Sequence, residues 1–118
     1  SNMTTITIKK IKEVYDIKLE GHANYQSGND IVCAGVSALT FALAQKAVDM
    51  EGEGKGAVAE KKLEPGNARI TFLPNKEMKE EWNIALGTIV EGYNLIAAIY
   101  PENVKVINWV GEIKKERC

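Results

Sequence analysis

The apolar residues of this chain change period near residue 31, and that change limits the fold more than any other feature. From Thr4 to Gly21 the spacing is two: Ile6 and Ile8 alternate with threonine and lysine, and Tyr15, Ile17 and Leu19 alternate with Asp16, Lys18 and Glu20. Side chains two apart share one face of a strand, so this segment predicts a pair of strands with one buried face. Past Asp30 the spacing becomes helical, with Val36, Leu39, Thr40, Leu43 and Ala47 on one side. That predicts a helix over about 31–50 with Asp30 as its N-cap. Between the two periods, residues 22–30 hold the turn-forming run Ser27-Gly28-Asn29-Asp30 and read as a mobile loop.

The remaining elements follow from the same rules. Glycine alternates with charge over 51–56, which reads as a solvated connection; no GKS or GKT follows to make it a phosphate loop. Two strands, about 57–63 and 68–73, flank Glu64-Pro65-Gly66-Asn67, where proline and then glycine suit the central positions of a type II turn. Met78, Trp82, Ala85, Leu86, Ile89, Tyr93, Ile96 and Ala97 draw a wide helical stripe over about 76–100, which Pro101 ends. The β-branched content of 104–110 predicts a short last strand. Each element must bury one face, so this order predicts a two-layer α+β domain, a mixed or antiparallel sheet with two main helices packed on one face. We expect a single domain over 3–118, with Ser1 and Asn2 as the remnant of an expression tag.

Composition removes several function classes. The 15 basic and 16 acidic residues are spread along the 118 positions and nearly cancel, so we expect no direct nucleic-acid binding. We also expect no membrane span, no secretory signal and a cytoplasmic location. Of the two cysteines, Cys118 is the last residue, which argues against a disulfide framework. One histidine and two cysteines, without paired carboxylates at ligand spacing, predict no metal site, and we expect no cofactor. A thiol phosphatase would need arginine six residues after Cys33, where this chain has Leu39.

What remains is one thiol and one imidazole. Cys33 falls in the first turn of the predicted helix, where unpaired backbone N–H groups and the positive dipole end favour a thiolate. His22, eleven positions earlier, ends a strand, and the loop between them is long enough to fold back and bring ring to sulfur. Gly21 and Gly28 would act as hinges of that loop. The backbone N–H groups of Cys33, Ala34 and Gly35 are candidate oxyanion donors. Asp30 would orient His22 or simply cap the helix, and Ser37, one turn beyond Cys33, would be a packing or hydrogen-bonding neighbour. The alternative to all of this is a small buried cysteine with a bystander histidine, a reading of about equal weight on pattern alone. Trp82, Tyr93 and Trp109 are expected in the core or a dimer contact.

The stretch Gly21-His22-Ala23, then Gly28, then Asp30-Ile31-Val32-Cys33-Ala34-Gly35-Val36-Ser37, resembles the signature of the bacterial ribosomal-processing cysteine proteases, the Prp family. The likeness is dense over 21–37, and length and element order agree elsewhere. It implies a Cys33/His22 dyad, a homodimer, and removal of the N-terminal peptide of large-subunit ribosomal protein twenty-seven, cut after an aromatic residue and before a small one. Two other functions fit the same residues: a non-catalytic ribosome-associated peptide-binding module, and a redox-sensing thiol protein.

Overall fold

The structure is a computed structural model that describes residues 3–23 and 30–110. Strands β1 (Thr4–Ile11) and β2 (Val14–Glu20) form an antiparallel hairpin, followed by helix α1 (Ile31–Gly52). A second hairpin, β3 (Gly56–Glu64) and β4 (Asn67–Pro74), leads through a 3-10 turn at Lys76–Met78 into helix α2 (Lys79–Ile99) and strand β5 (Val104–Asn108). The five strands lie in the order β3-β4-β2-β1-β5, and β5 runs parallel to β1 while the other pairings are antiparallel. The expected α+β class and mixed sheet are what the molecule has. Glu64 pairs with Asn67, leaving Pro65-Gly66 as a two-residue turn with Gly66 at φ +73, the value a type II turn demands.

Alternation decides which face is buried. Ile6, Ile8, Tyr15, Ile17, Leu19, Ala68, Ile70 and Phe72 point to the helices and form one core with Val36, Leu43, Ala47 and Met50 of α1 and Trp82, Leu86 and Tyr93 of α2. The helices run antiparallel: Lys46 meets Glu81, Thr40 meets Tyr93, and Gly35 lies against Ile96. The domain therefore has two distinct ends. One gathers Tyr15, Phe72 and Trp82, whose rings pack with centroids 4.6–6.0 Å apart. The other gathers the exit of β2, the β3–β4 turn, the start of α1 and the end of α2.

One expectation needs correction. Helix α1, Ile31–Gly52, is by length and composition apolar enough to cross a membrane, although no such run was expected. Its apolarity is spent in the core, since Val32, Val36, Leu43, Ala44, Ala47 and Met50 are all buried against the rest of the domain. Of the three aromatics expected in the core or a dimer contact, Trp82 and Tyr93 are in the core and Trp109 is 53% exposed, outside it. Strand β5 ends at Asn108, one residue before it. Residues 24–29 and 111–118, which include Gly28 and Cys118, lie outside the described residues, as do Ser1 and Asn2.

Candidate active site

Cys33 reaches its position because Asp30 starts the helix where it does. The Asp30 carboxylate accepts hydrogen bonds from the Val32 N–H at 2.9 Å and the Cys33 N–H at 3.0 Å, satisfying two of the amides that a helix start leaves unpaired. Val32 and Val36 bury on the core side, which leaves the Cys33 side chain half-exposed, one edge against the core and its sulfur toward the β2 exit.

His22 stands at that exit, exposed, on a backbone tied from three directions. The Gly21 N–H donates to the Gly66 carbonyl at 2.9 Å, the Thr4 hydroxyl donates to the Gly21 carbonyl at 3.0 Å, and the Asn103 amide donates to the Ala23 carbonyl at 2.9 Å. Gly21 has φ +88, and a Cβ there would come within 2.5 Å of the Met3 carbonyl oxygen. Only glycine fits this bend. The expectation that Gly21 is a hinge is thus corrected: both of its backbone groups are engaged, so it anchors the strand end. With that anchor set, His22 Nδ1 lies 4.0 Å from Cys33 Sγ. The contact is long for a hydrogen bond, and a small movement of the ring would bring the two atoms into one.

The backbone donors assigned to an oxyanion do not fit this arrangement. The Cys33 N–H is held by the Asp30 carboxylate, and the Ala34 N–H by the Asp30 carbonyl at 2.9 Å. Gly35, four residues after Ile31, already lies in the repeating helical ladder. Asp30 is a cap, and the two hydrogen bonds that occupy one of its oxygens are those of a capping residue. Ser37 is buried beneath Cys33, and its Oγ has no hydrogen-bond partner among the described residues. One turn on, Thr40 donates to the Val36 carbonyl and meets the Tyr93 hydroxyl at 2.7 Å. Burial pushes the Tyr93 phenol up to about 12, so it stays neutral and serves as a fixed hydrogen-bonding post between the helices. Among the described residues no group of three or more histidine, cysteine, aspartate or glutamate side chains is placed to hold a metal ion.

Three contributors to this end were not visible as site residues in the sequence. Thr4 and Asn103 carry no motif, and they act only because β1 and the end of α2 lie beside the β2 exit. Gly66 was visible as a turn former, but its closeness to His22 depends on β4 pairing with β2, which no local pattern announces.

Against known proteins, the family model described as cysteine protease Prp matches residues 3–105. No curated protein sequence matches the chain. Among solved structures, the essential ribosomal processing protease Prp of S. aureus, in complex with a covalently linked product peptide, is 24% identical with a TM-score of 0.67. The alignment covers 90% of this chain and 99% of that one. The same protease with a substrate peptide gives 23% identity and a TM-score of 0.64 over 90% of this chain and 99% of that one. A protein of Streptococcus mutans gives 24% and 0.62 over 90% and 95%. At these identities the structures establish a shared fold, and the family model carries the assignment: this chain belongs to the Prp family and is a cysteine protease.

Proposed function

We propose that Cys33 is the nucleophile and His22 the general base, and that the substrate is the N-terminal extension of large-subunit ribosomal protein twenty-seven, removed during ribosome assembly. The observation that carries the reading is the 4.0 Å approach of His22 Nδ1 to Cys33 Sγ at the start of a helix. The S. aureus relative described as a ribosomal processing protease, bound to substrate and product peptides, supports the choice of a peptide and of this class of substrate.

The chemistry follows from the geometry. His22 Nδ1 faces the sulfur, so the neutral ring carries its proton on Nε2 and takes the thiol proton on Nδ1. The thiolate attacks the scissile carbonyl carbon, and the positive end of α1 faces the charge on sulfur and then on oxygen. As the tetrahedral intermediate collapses, the imidazolium returns its proton to the leaving amine and a thioester remains. Water, deprotonated by the same ring, attacks the thioester; the acid departs and the thiol is restored. In this reading the cut falls after an aromatic residue and before a small one, and the enzyme works in the cytoplasm as a homodimer. Support for the dimer is the outer face of α2, where Ile84, Leu95 and Ile99 are exposed.

The test uses the intact ribosomal protein as substrate and its mass as the readout. The wild-type chain shortens it, while Cys33→Ala and His22→Ala each leave it whole with their folds unchanged by circular dichroism. Full activity in either variant refutes the dyad, and an unshortened protein with the wild-type enzyme refutes the substrate.

A further inference from the structure

Gly66 is far from the motif that carries the chemistry, yet it is the residue on which the His22 ring rests. It is buried at the tip of the β3–β4 hairpin, and a Cβ placed on it would lie 2.6 Å from His22 Cε1, 2.8 Å from Nε2 and 2.9 Å from Nδ1. Three atoms of one ring at nearly equal distance mean that the imidazole lies flat across the turn. The Gly66 carbonyl also accepts the Gly21 N–H at 2.9 Å, so one residue fixes both the main chain before His22 and the plane of its ring.

We propose that Gly66 is a positioning residue of the protease: the missing side chain at the hairpin tip sets how deeply the His22 ring sits, and thereby its reach to Cys33. The reasoning is steric. A contact below 3.0 Å cannot be kept, so any side chain at residue 66 lifts the ring from the turn. The ring stands 4.0 Å from Cys33 Sγ, so a shift of that size is as large as the movement that separates the pair from hydrogen-bond distance, and it alters the approach. Displacements of this size in a reacting pair cost far more in rate than in binding.

Positive φ complicates the test, because any L residue at +73 strains the turn whatever it touches. Gly54 supplies the matched control: its φ is +74, and nothing lies within 4 Å of where a Cβ would go. Gly54→Ala therefore carries the backbone strain alone, and Gly66→Ala carries strain plus collision. Gly66→Asn, whose residue type tolerates left-handed backbone, relieves most of the strain and keeps the collision.

The inference rests on the dyad reading above, so the readout is chosen to separate the two. All variants are made in a Cys118→Ser chain, leaving Cys33 as the single thiol, and its alkylation by iodoacetamide at neutral pH is timed alongside peptide cleavage. We expect Gly66→Ala and Gly66→Asn to slow alkylation about fivefold or more and lower kcat about tenfold or more, with KM within about twofold. Gly54→Ala should leave both rates within about twofold. In a His22→Ala chain, Gly66→Asn should change alkylation no further, since there is no ring left to displace. Equal losses from Gly66→Asn with and without His22, or rates for Gly66→Asn matching those for Gly54→Ala, overturn the positioning role while leaving the dyad standing. Undiminished alkylation and cleavage in His22→Ala alone overturns the dyad itself.

Discussion

The two ends of helix α1 are built on different principles. The end that carries Met50 is held by burial: Tyr15 meets Trp82 edge to face, Phe72 packs on the same indole at a tilt, and Met50 is fully enclosed. The end that carries Cys33 faces a strand exit held by three hydrogen bonds, in which Thr4, Gly66 and Asn103 each make one tie and Gly21 makes two. Burial is strong and nondirectional, and it secures the fold. Hydrogen bonds are individually weak but directional, and they secure an angle and a distance. Under the proposed dyad, the second kind of support is what the His22–Cys33 approach requires, and the large aromatic rings lie at the other end.

This contrast can be broken, beginning with the largest effect. Cys33→Ala should abolish cleavage entirely while shifting the thermal midpoint little, since the sulfur is half-exposed and adds little to the core; mass spectrometry and a melting curve check both halves. Trp82→Ala should do the reverse. It opens a cavity at the aromatic end and should cost about 4 kcal/mol in a urea titration, while the molecules that remain folded still alkylate at Cys33 at the ordinary rate. A large loss of reactivity per folded molecule would mean that the ends are not independent.

Asp16 gives a smaller test on the outer face of the sheet. It is 6% exposed and accepts from Arg69 Nε at 2.9 Å and Nη2 at 3.0 Å and from Thr71 Oγ1 at 3.1 Å. Burial alone would raise its carboxyl, but the Arg69 hydrogen bonds and charge, with Thr71, outweigh this and hold it below the ordinary carboxylate value. The stabilisation is whole above about pH 4, where the unfolded carboxyl is ionised, and fades as pH falls through the depressed native value. Asp16→Asn should cost about 2 kcal/mol at neutral pH and flatten the acid side of the stability curve.

Asp30→Ala links the two principles, because it removes a cap worth about 1 kcal/mol and at the same time frees the Cys33 amide. The melt should fall by a few degrees while the cleavage rate falls out of proportion to it. Glu81→Gln is the weakest perturbation. Glu81 accepts from Lys46 at 2.8 Å and Lys55 at 3.1 Å, hydrogen bonds that hold its carboxyl below the ordinary value. The ions are solvated, so the change should be small in low salt and vanish in 1 M salt.

How much of this was legible in the sequence depends on the range of the interaction. The strands, both helices, the Asp30 cap and the Pro65-Gly66 turn follow from neighbours within a few residues, and all are where their spacing puts them. The parallel docking of β5 on β1 was not legible, because Val104 and Thr4 are brought together by the crossing of a whole helix. For the same reason the glycine under His22 read only as a turn. The apolar run of α1 was underrated because polar Ser37, Thr40, Gln45 and Lys46 interrupt it; its mean, not its continuity, is what matches a membrane helix. The oxyanion assignment treated the first-turn amides as vacant, whereas Asp30 takes those of Val32 and Cys33 with its carboxylate and that of Ala34 with its carbonyl.

Among the described residues strand β3 is one of the two edges of the sheet, and most of its residues, from Lys61 through Glu64 especially, face water. Its free margin offers main-chain groups to any passing extended segment, but the ladder slips between Val58 and Glu60, and the margin carries Glu60, Lys61, Lys62 and Glu64. A second molecule docking there would meet a kinked border and charges it must strip of water. For a protease that must meet polypeptide, such a border disfavours growth of its own sheet by strand addition.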